Sequence, residues 1–235
     1  MGKKEKTYKV TYKTYHNPRL KEIMFHTKKM RPLYVQVIFD RIPIIFKSYY
    51  YDLFSKSKYA IRISGRVHTP DIKEIIKKEE TLIEFIVDKN LQNFSLDLFK
   101  KEYAFYCRDL LDIMEESFLD YLFNFLHDEG LPYLADTINK GAQDCKMYDL
   151  LRDFKKALNP TLYKKLIENS YHYAPPYLPL YAFAQKPQST PFTMLSMMEW
   201  EQPETKENFV AFFKNHSPEY DLEIALNNIR QWVNQ

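Results

Sequence analysis

The spacing of apolar residues changes near residue 69. Between residues 7 and 47 side chains alternate in character. From about residue 70 apolar residues recur every third or fourth position. In TYKVTYKTY (7–15), Tyr8, Val10 and Tyr12 fall on one face, and Lys9, Thr11 and Lys13 on the other. Tyr, Val and Thr favour a pleated, half-buried surface, so this segment predicts a strand. Residues 33–39, LYVQVIF, place Leu33, Val35, Val37 and Phe39 on one side and Tyr34, Gln36 and Ile38 on the other. Asp40-Arg41 reverses the chain, and Ile42, Ile44 and Phe46 alternate in a return strand. Pro43 has no N–H for a ladder, so that strand is expected at a sheet edge. Residues 19–26 and 59–67 offer two shorter strands, and 28–32 is a basic connector between the first of these and 33–39.

Helices follow. Thr69 as N-cap and Pro70 as first residue predict a helix through about 91. Ser95 caps the next helix. Residues 109–127 carry a stripe of Leu110, Leu111, Met114, Phe118, Tyr121, Leu122 and Phe125, with Gly130 placed to end it. Further helices are expected at 132–158, 161–171, 205–214 and 218–233, the last with Ser217 as cap. Pro175, Pro176, Pro179, Pro187 and Pro191 mark a linker or packed arm. The class predicted is α+β: a small antiparallel β-sheet head followed by a larger, mostly helical body. The spans are 1–68 (head), 69–173 (helical domain), 174–203 (Pro-rich linker or arm) and 204–235 (C-terminal helices).

Charge follows the same division. Residues 1–70 carry 16 Lys and Arg against 4 Asp and Glu, a net of +12, and residues 71–235 carry a net of −9. A head this basic points to a polyanionic partner. The residues expected to meet phosphates are Lys9, Lys13, Lys28, Lys29, Arg31, Arg41 and Lys47. Tyr34, Gln36 or the Tyr49–Tyr51 tract would touch sugars or bases.

Other chemistry finds little support. The chain has 4 Gly in 235 residues, too scattered for a dinucleotide fingerprint or a P-loop. Cys107 and Cys145 have no CxxC partner, which fits inert thiols in a reducing compartment. The six histidines stand apart from one another, and His16-Asn17-Pro18-Arg19 reads as a chance His-x-x-Arg match. Glu115, Glu116, Asp120, Asp128 and Glu129 read as the solvated face of an amphipathic helix, so Glu115, Glu116 and Asp120 are expected to be exposed. Met194, Met197, Met198 and Trp200 read as core. No apolar run has the length to span a bilayer, and the N-terminus lacks a signal core. Lys6 stands where a myristoylation signal needs Ser or Thr. The expected location is the cytoplasm, or a particle assembled there. No cofactor, metal or catalytic residue is expected.

The segment RPLYVQVIFDRIPIIFKS (31–48), a helix at 70–91, Phe94-Ser95-Leu96-Asp97-Leu98-Phe99 and the acidic-aromatic helix 109–127 together resemble the N-terminal arm-binding and core-binding region of Bacteroidetes mobile-element tyrosine recombinases (integrases). The resemblance covers about residues 31–130. It implies a small sheet that binds accessory DNA sites and a helical domain that clamps core DNA. The chain departs from the family in two ways. Asp40-Arg41 replaces the usual Asp-Gly or Asn-Gly turn, and no Arg…His-x-x-Arg…Tyr set follows residue 130. The reading is a non-catalytic accessory protein of a mobile element or phage that binds duplex DNA through the basic sheet. The alternative is a structural or packing protein of a larger assembly such as a phage particle. Its head would dock on nucleic acid or an acidic neighbour, with self-association through the acidic helical body.

Overall fold

The computed structural model describes residues 9–63, 66–185 and 192–234. Lys6, Tyr8, Pro187 and Pro191 lie outside the described residues. The chain is α+β, with a small antiparallel sheet near its N-terminus and a mostly helical remainder. It divides into two compact units. The first holds residues up to 56 together with 60–107, and the second holds 57–59 together with 108–235.

The first unit is built on strands β1 (Thr11–His16), β4 (Leu33–Phe39) and β5 (Ile42–Lys47), in the order β1-β4-β5. Both pairings are antiparallel. β5 is an edge, as Pro43 requires. Between β1 and β4 lies a separate hairpin of β2 (Ile23–Phe25) and β3 (Lys28–Met30). β3 thus forms where the basic segment 28–32 is expected to be only a connector. A second small hairpin joins β6 (Ile61–Ile63) to β7 (Arg66–His68).

The inner face of the three-stranded sheet carries Leu33, Val35 and Val37, all fully buried. Each such side chain contributes roughly 1.5–3 kcal/mol by leaving water. In the same unit α1 (Tyr49–Ser55), α2 (Ile72–Lys89) and α3 (Leu96–Tyr106) bury Tyr51, Leu82, Ile83, Ile86 and Phe99, and α2 lies against β1. Phe46 meets Phe99 and Tyr103, and Phe39 meets Phe94 edge-on. Ser95 caps α3 as expected. For α2 the cap is Asp71, whose side chain accepts from Lys73 N, rather than Thr69.

In the second unit α4 (Leu110–Asp128) is central. It is touched by α5 (Pro132–Gly141), α6 (Met147–Ala157), α7 (Pro160–Tyr173), α8 (Tyr177–Ala184) and α11 (Leu222–Val233). A Schellman turn ends α4. Gly130, at φ 77, lets Leu131 N donate to Leu126 O and Gly130 N to His127 O. The single helix expected at 132–158 is two, α5 and α6. The proline stretch contains α8, whose Tyr177 and Leu180 are fully buried, so this part is a packed arm. Met194, Met197 and Trp200 are buried, the last two in α9 (Met197–Trp200). The chain then forms α10 (Pro203–His216) and α11, which is capped by Asp221 rather than Ser217. Among the described residues no helix is long and apolar enough to cross a membrane.

Candidate nucleic-acid interface

The register of the three-stranded sheet assigns its two faces. Gln36 stands opposite Lys13 on one side and Ile45 on the other. Tyr34 stands between Tyr15 and Lys47, and Ile38 between Thr11 and Pro43. Side chains directly opposite share a face, so these nine residues form one surface. It is the face away from Leu33, Val35 and Val37. Thr11, Lys13, Pro43, Ile45 and Lys47 are exposed there, and Tyr15, Tyr34, Gln36 and Ile38 are half-buried. The inner-facing residues of β1 meet α2 instead. Tyr12 donates to Glu84 and Thr14 to Glu80. The bond to Glu84, with burial second, pushes the Tyr12 hydroxyl up to about 12.

The structure brings together Lys13, Tyr34, Gln36 and Lys47 of the residues expected from sequence. Lys13 Nζ lies 5.0 Å from the Tyr15 ring centroid. Lys47 Nζ lies 2.5 Å from Asp52 Oδ1, with both side chains part-exposed. Lys9 is exposed two residues before β1. Arg41 is not on the face. It sits in the two-residue turn that joins Phe39 to Ile42, with φ 66, beside Asp40 at φ 48. Such a turn needs positive φ at both central positions, which is why Gly is favoured there. Lys28 and Lys29 are exposed on β3, in the other hairpin, and Arg31 is exposed just after it, donating through Nε to Leu20 O. That hairpin is fixed by Phe25 against Tyr51 and by the His26 ring against Phe54 O. The Tyr49–Tyr51 tract is no contact surface. Ser48 caps α1 over these residues, leaving Tyr50 and Tyr51 at 2% and 0% exposure.

The acidic stripe of α4 is not a uniformly solvated face. Glu116 and Asp120 are exposed, but Glu115 is buried. Its partners explain why. Glu115 accepts from Lys58, from Tyr177 OH at 2.7 Å and from Met147 N at 2.8 Å. Lys58 also pairs with Asp112 at 2.6 Å. Nearby, Lys146 Nζ lies 4.0 Å over the Tyr59 ring, and burial lowers its ammonium from the usual range. Asp109 caps α4 and accepts from Leu195 N at 3.0 Å. Its carboxyl is pushed up to about 6 by burial. α4 packs on several sides, so an acidic position on it can point inward. No signal local to residues 109–127 announces this.

The first unit carries 21 Lys and Arg against 12 Asp and Glu, and the second 13 against 19. Within residues 9–56 the balance is 10 against 3. Among the described residues neither Cys107, which is buried, nor Cys145 forms a disulfide. Among the described residues no three His, Cys, Asp or Glu side chains are placed to hold a metal ion. Comparison of the chain with protein-family models, with curated proteins and with solved structures gives no match.

Proposed function

We propose that the chain is a non-catalytic DNA-binding accessory protein of a mobile element or phage, acting in the cytoplasm or in a particle assembled there. The first unit holds duplex DNA through the outer face of the β1-β4-β5 sheet. The observation that carries this reading is the register, which sets Lys13, Gln36, Tyr34 and Lys47 on one open face. Lys9 and Arg41 lie at the turn end of that sheet, and Lys28 and Lys29 add exposed positive charge on the separate β2-β3 hairpin of the same unit. Ammonium and guanidinium groups would neutralise phosphates, while the amide and the hydroxyl meet sugars or base edges. Strands rise about 3.4 Å per residue, so β4 alone offers roughly 20 Å of contact. The acidity of the second unit confines the contact to the first.

Lys47 is tethered to Asp52, but an exposed pair of this kind is worth only about 0–1 kcal/mol and yields to a phosphate. The test is anisotropy of labelled duplex DNA with the full chain across a salt series. Binding should weaken steeply with salt. Replacing Lys9, Lys13, Arg41 and Lys47 together should lower the log–log slope by roughly one unit per lost phosphate contact. Circular dichroism should stay unchanged. A parent that ignores DNA but self-associates independently of salt would sink this reading and favour the assembly role.

A further inference from the structure

We propose that the sheet face discriminates bases, selecting A·T pairs through Gln36 and Ile45; this rests on the DNA-binding reading above and deepens it. Gln36 is at the centre of the face, with Tyr34 and Ile38 along its strand and Lys13 and Ile45 across from it. A side-chain amide has two donors and two acceptor sites, and among the described residues Gln36 spends none of them. Beside it Ile45 is 55% exposed, and Pro43 is exposed one pleat further. An unused amide next to an open apolar side chain matches one side of the major-groove code. Adenine offers N7 and N6–H2 to a bidentate amide, and thymine offers its methyl group to an apolar contact.

The complementary set for G·C is absent from this face. Cytosine N4 is met by a carboxylate, and the three strands present none here. Guanine is met best by arginine, and Arg41 is held in the turn instead. Lysine can also reach guanine, but Lys13 leans along its own strand over Tyr15. Lysines at the rim then hold the backbone, and the centre reads the pair. The thymine methyl is displayed only in the major groove, so the reading takes place there.

The experiment uses the full chain and four duplexes of equal length at one salt concentration. One is A·T-rich and one G·C-rich. The third replaces thymine by uracil in the A·T-rich duplex, removing the methyl. The fourth replaces adenine by 7-deazaadenine, removing N7. The expected result is roughly tenfold or greater preference for A·T over G·C. Uracil should weaken binding several-fold in the parent and not in Ile45→Ala. The 7-deazaadenine duplex should weaken it in the parent and not in Gln36→Ala. Neither variant should change the salt slope. Equal binding of all four duplexes with a steep slope overturns base selection and leaves phosphate binding standing. An A·T preference that survives both base analogues overturns it too, because the sequence is then read from the minor groove or from DNA shape. Absence of binding to every duplex overturns the DNA-binding reading itself.

Discussion

Glu79 is completely buried, and removing its carboxylate should be among the most damaging single changes in the first unit. It accepts from Ser48 Oγ, from Tyr50 N at 3.2 Å and from Tyr103 OH, whose distances to the two carboxylate oxygens are 3.1 and 2.8 Å. Glu79→Ala strands all three donors inside the protein and opens a cavity. Each unsatisfied donor costs about 1–3 kcal/mol, and the costs overlap, so the expected loss is about 3–5 kcal/mol. Glu79→Gln keeps the shape and one acceptor oxygen, and the loss near pH 4 should be about 1–2 kcal/mol. The two variants then part with pH. Burial raises the Glu79 carboxyl from its ordinary 4.5, against the opposing pull of the bonds from Ser48 and Tyr103. An acid raised in the folded state gives stability that is complete below its unfolded value and fades as pH rises through the folded one. The parent should therefore lose ground to Glu79→Gln as pH rises from about 4.5, by at most about 1.4 kcal/mol per pH unit. Urea unfolding followed by circular dichroism at several pH values measures this. A parent-to-Gln difference that is flat from pH 4 to 8 would refute the argument that burial dominates at Glu79.

Two further outcomes follow from the same geometry. Glu115→Ala should destabilise the second unit by about 3–5 kcal/mol, because Lys58 keeps only Asp112 and two donors lose their acceptor; fluorescence of Trp200 and Trp232, both in that unit, reports it, and an unchanged midpoint would contradict the network. Arg41→Gly should stabilise the hairpin by about 0.5–1 kcal/mol, since φ 66 costs glycine nothing; lower stability in urea would show that the arginine side chain holds the turn.

What the sequence made legible is what depends on near neighbours. The alternation in 33–39, the reversal at Asp40-Arg41 and Pro43 together specify the hairpin, its register and its edge position. Ser95 and Gly130 likewise act on backbone groups within a turn. The misreadings have longer reach. Tyr49–Tyr51 offers three hydroxyls for sugar or base contact, yet it forms α1, where Ser48 caps it and Tyr50 and Tyr51 are buried in the first unit's core. Pro175, Pro176 and Pro179 looked like an extended segment. They stand just before α8, at its N-cap and in its first turn, where a missing N–H costs nothing. The apolar pattern of 132–158 runs on without a strong breaker. The chain nonetheless restarts at Met147, whose N–H is taken by Glu115.

That last contact belongs to a common device. Three buried carboxylates each accept a backbone N–H from a segment distant in sequence: Glu79 from Tyr50, Glu115 from Met147 and Asp109 from Leu195. Each also takes a tyrosine hydroxyl, from Tyr103, Tyr177 and Tyr59. Helix N-termini leave orphan N–H groups, and Lys146, at the N-cap of α6, makes no side-chain cap bond of its own. A chain with 19 Tyr supplies the hydroxyls that let such acids stay inside. Acid counted from sequence is thus partly consumed internally, together with Lys58. The lysines of the sheet and hairpin are spent differently. Lys47 has only an exposed partner in Asp52, while Lys9, Lys13, Lys28 and Lys29 pair with no carboxylate among the described residues. Exposed charges without partners set the field at a distance. The surface that a polyanion would meet on the first unit is therefore more basic than its overall balance implies.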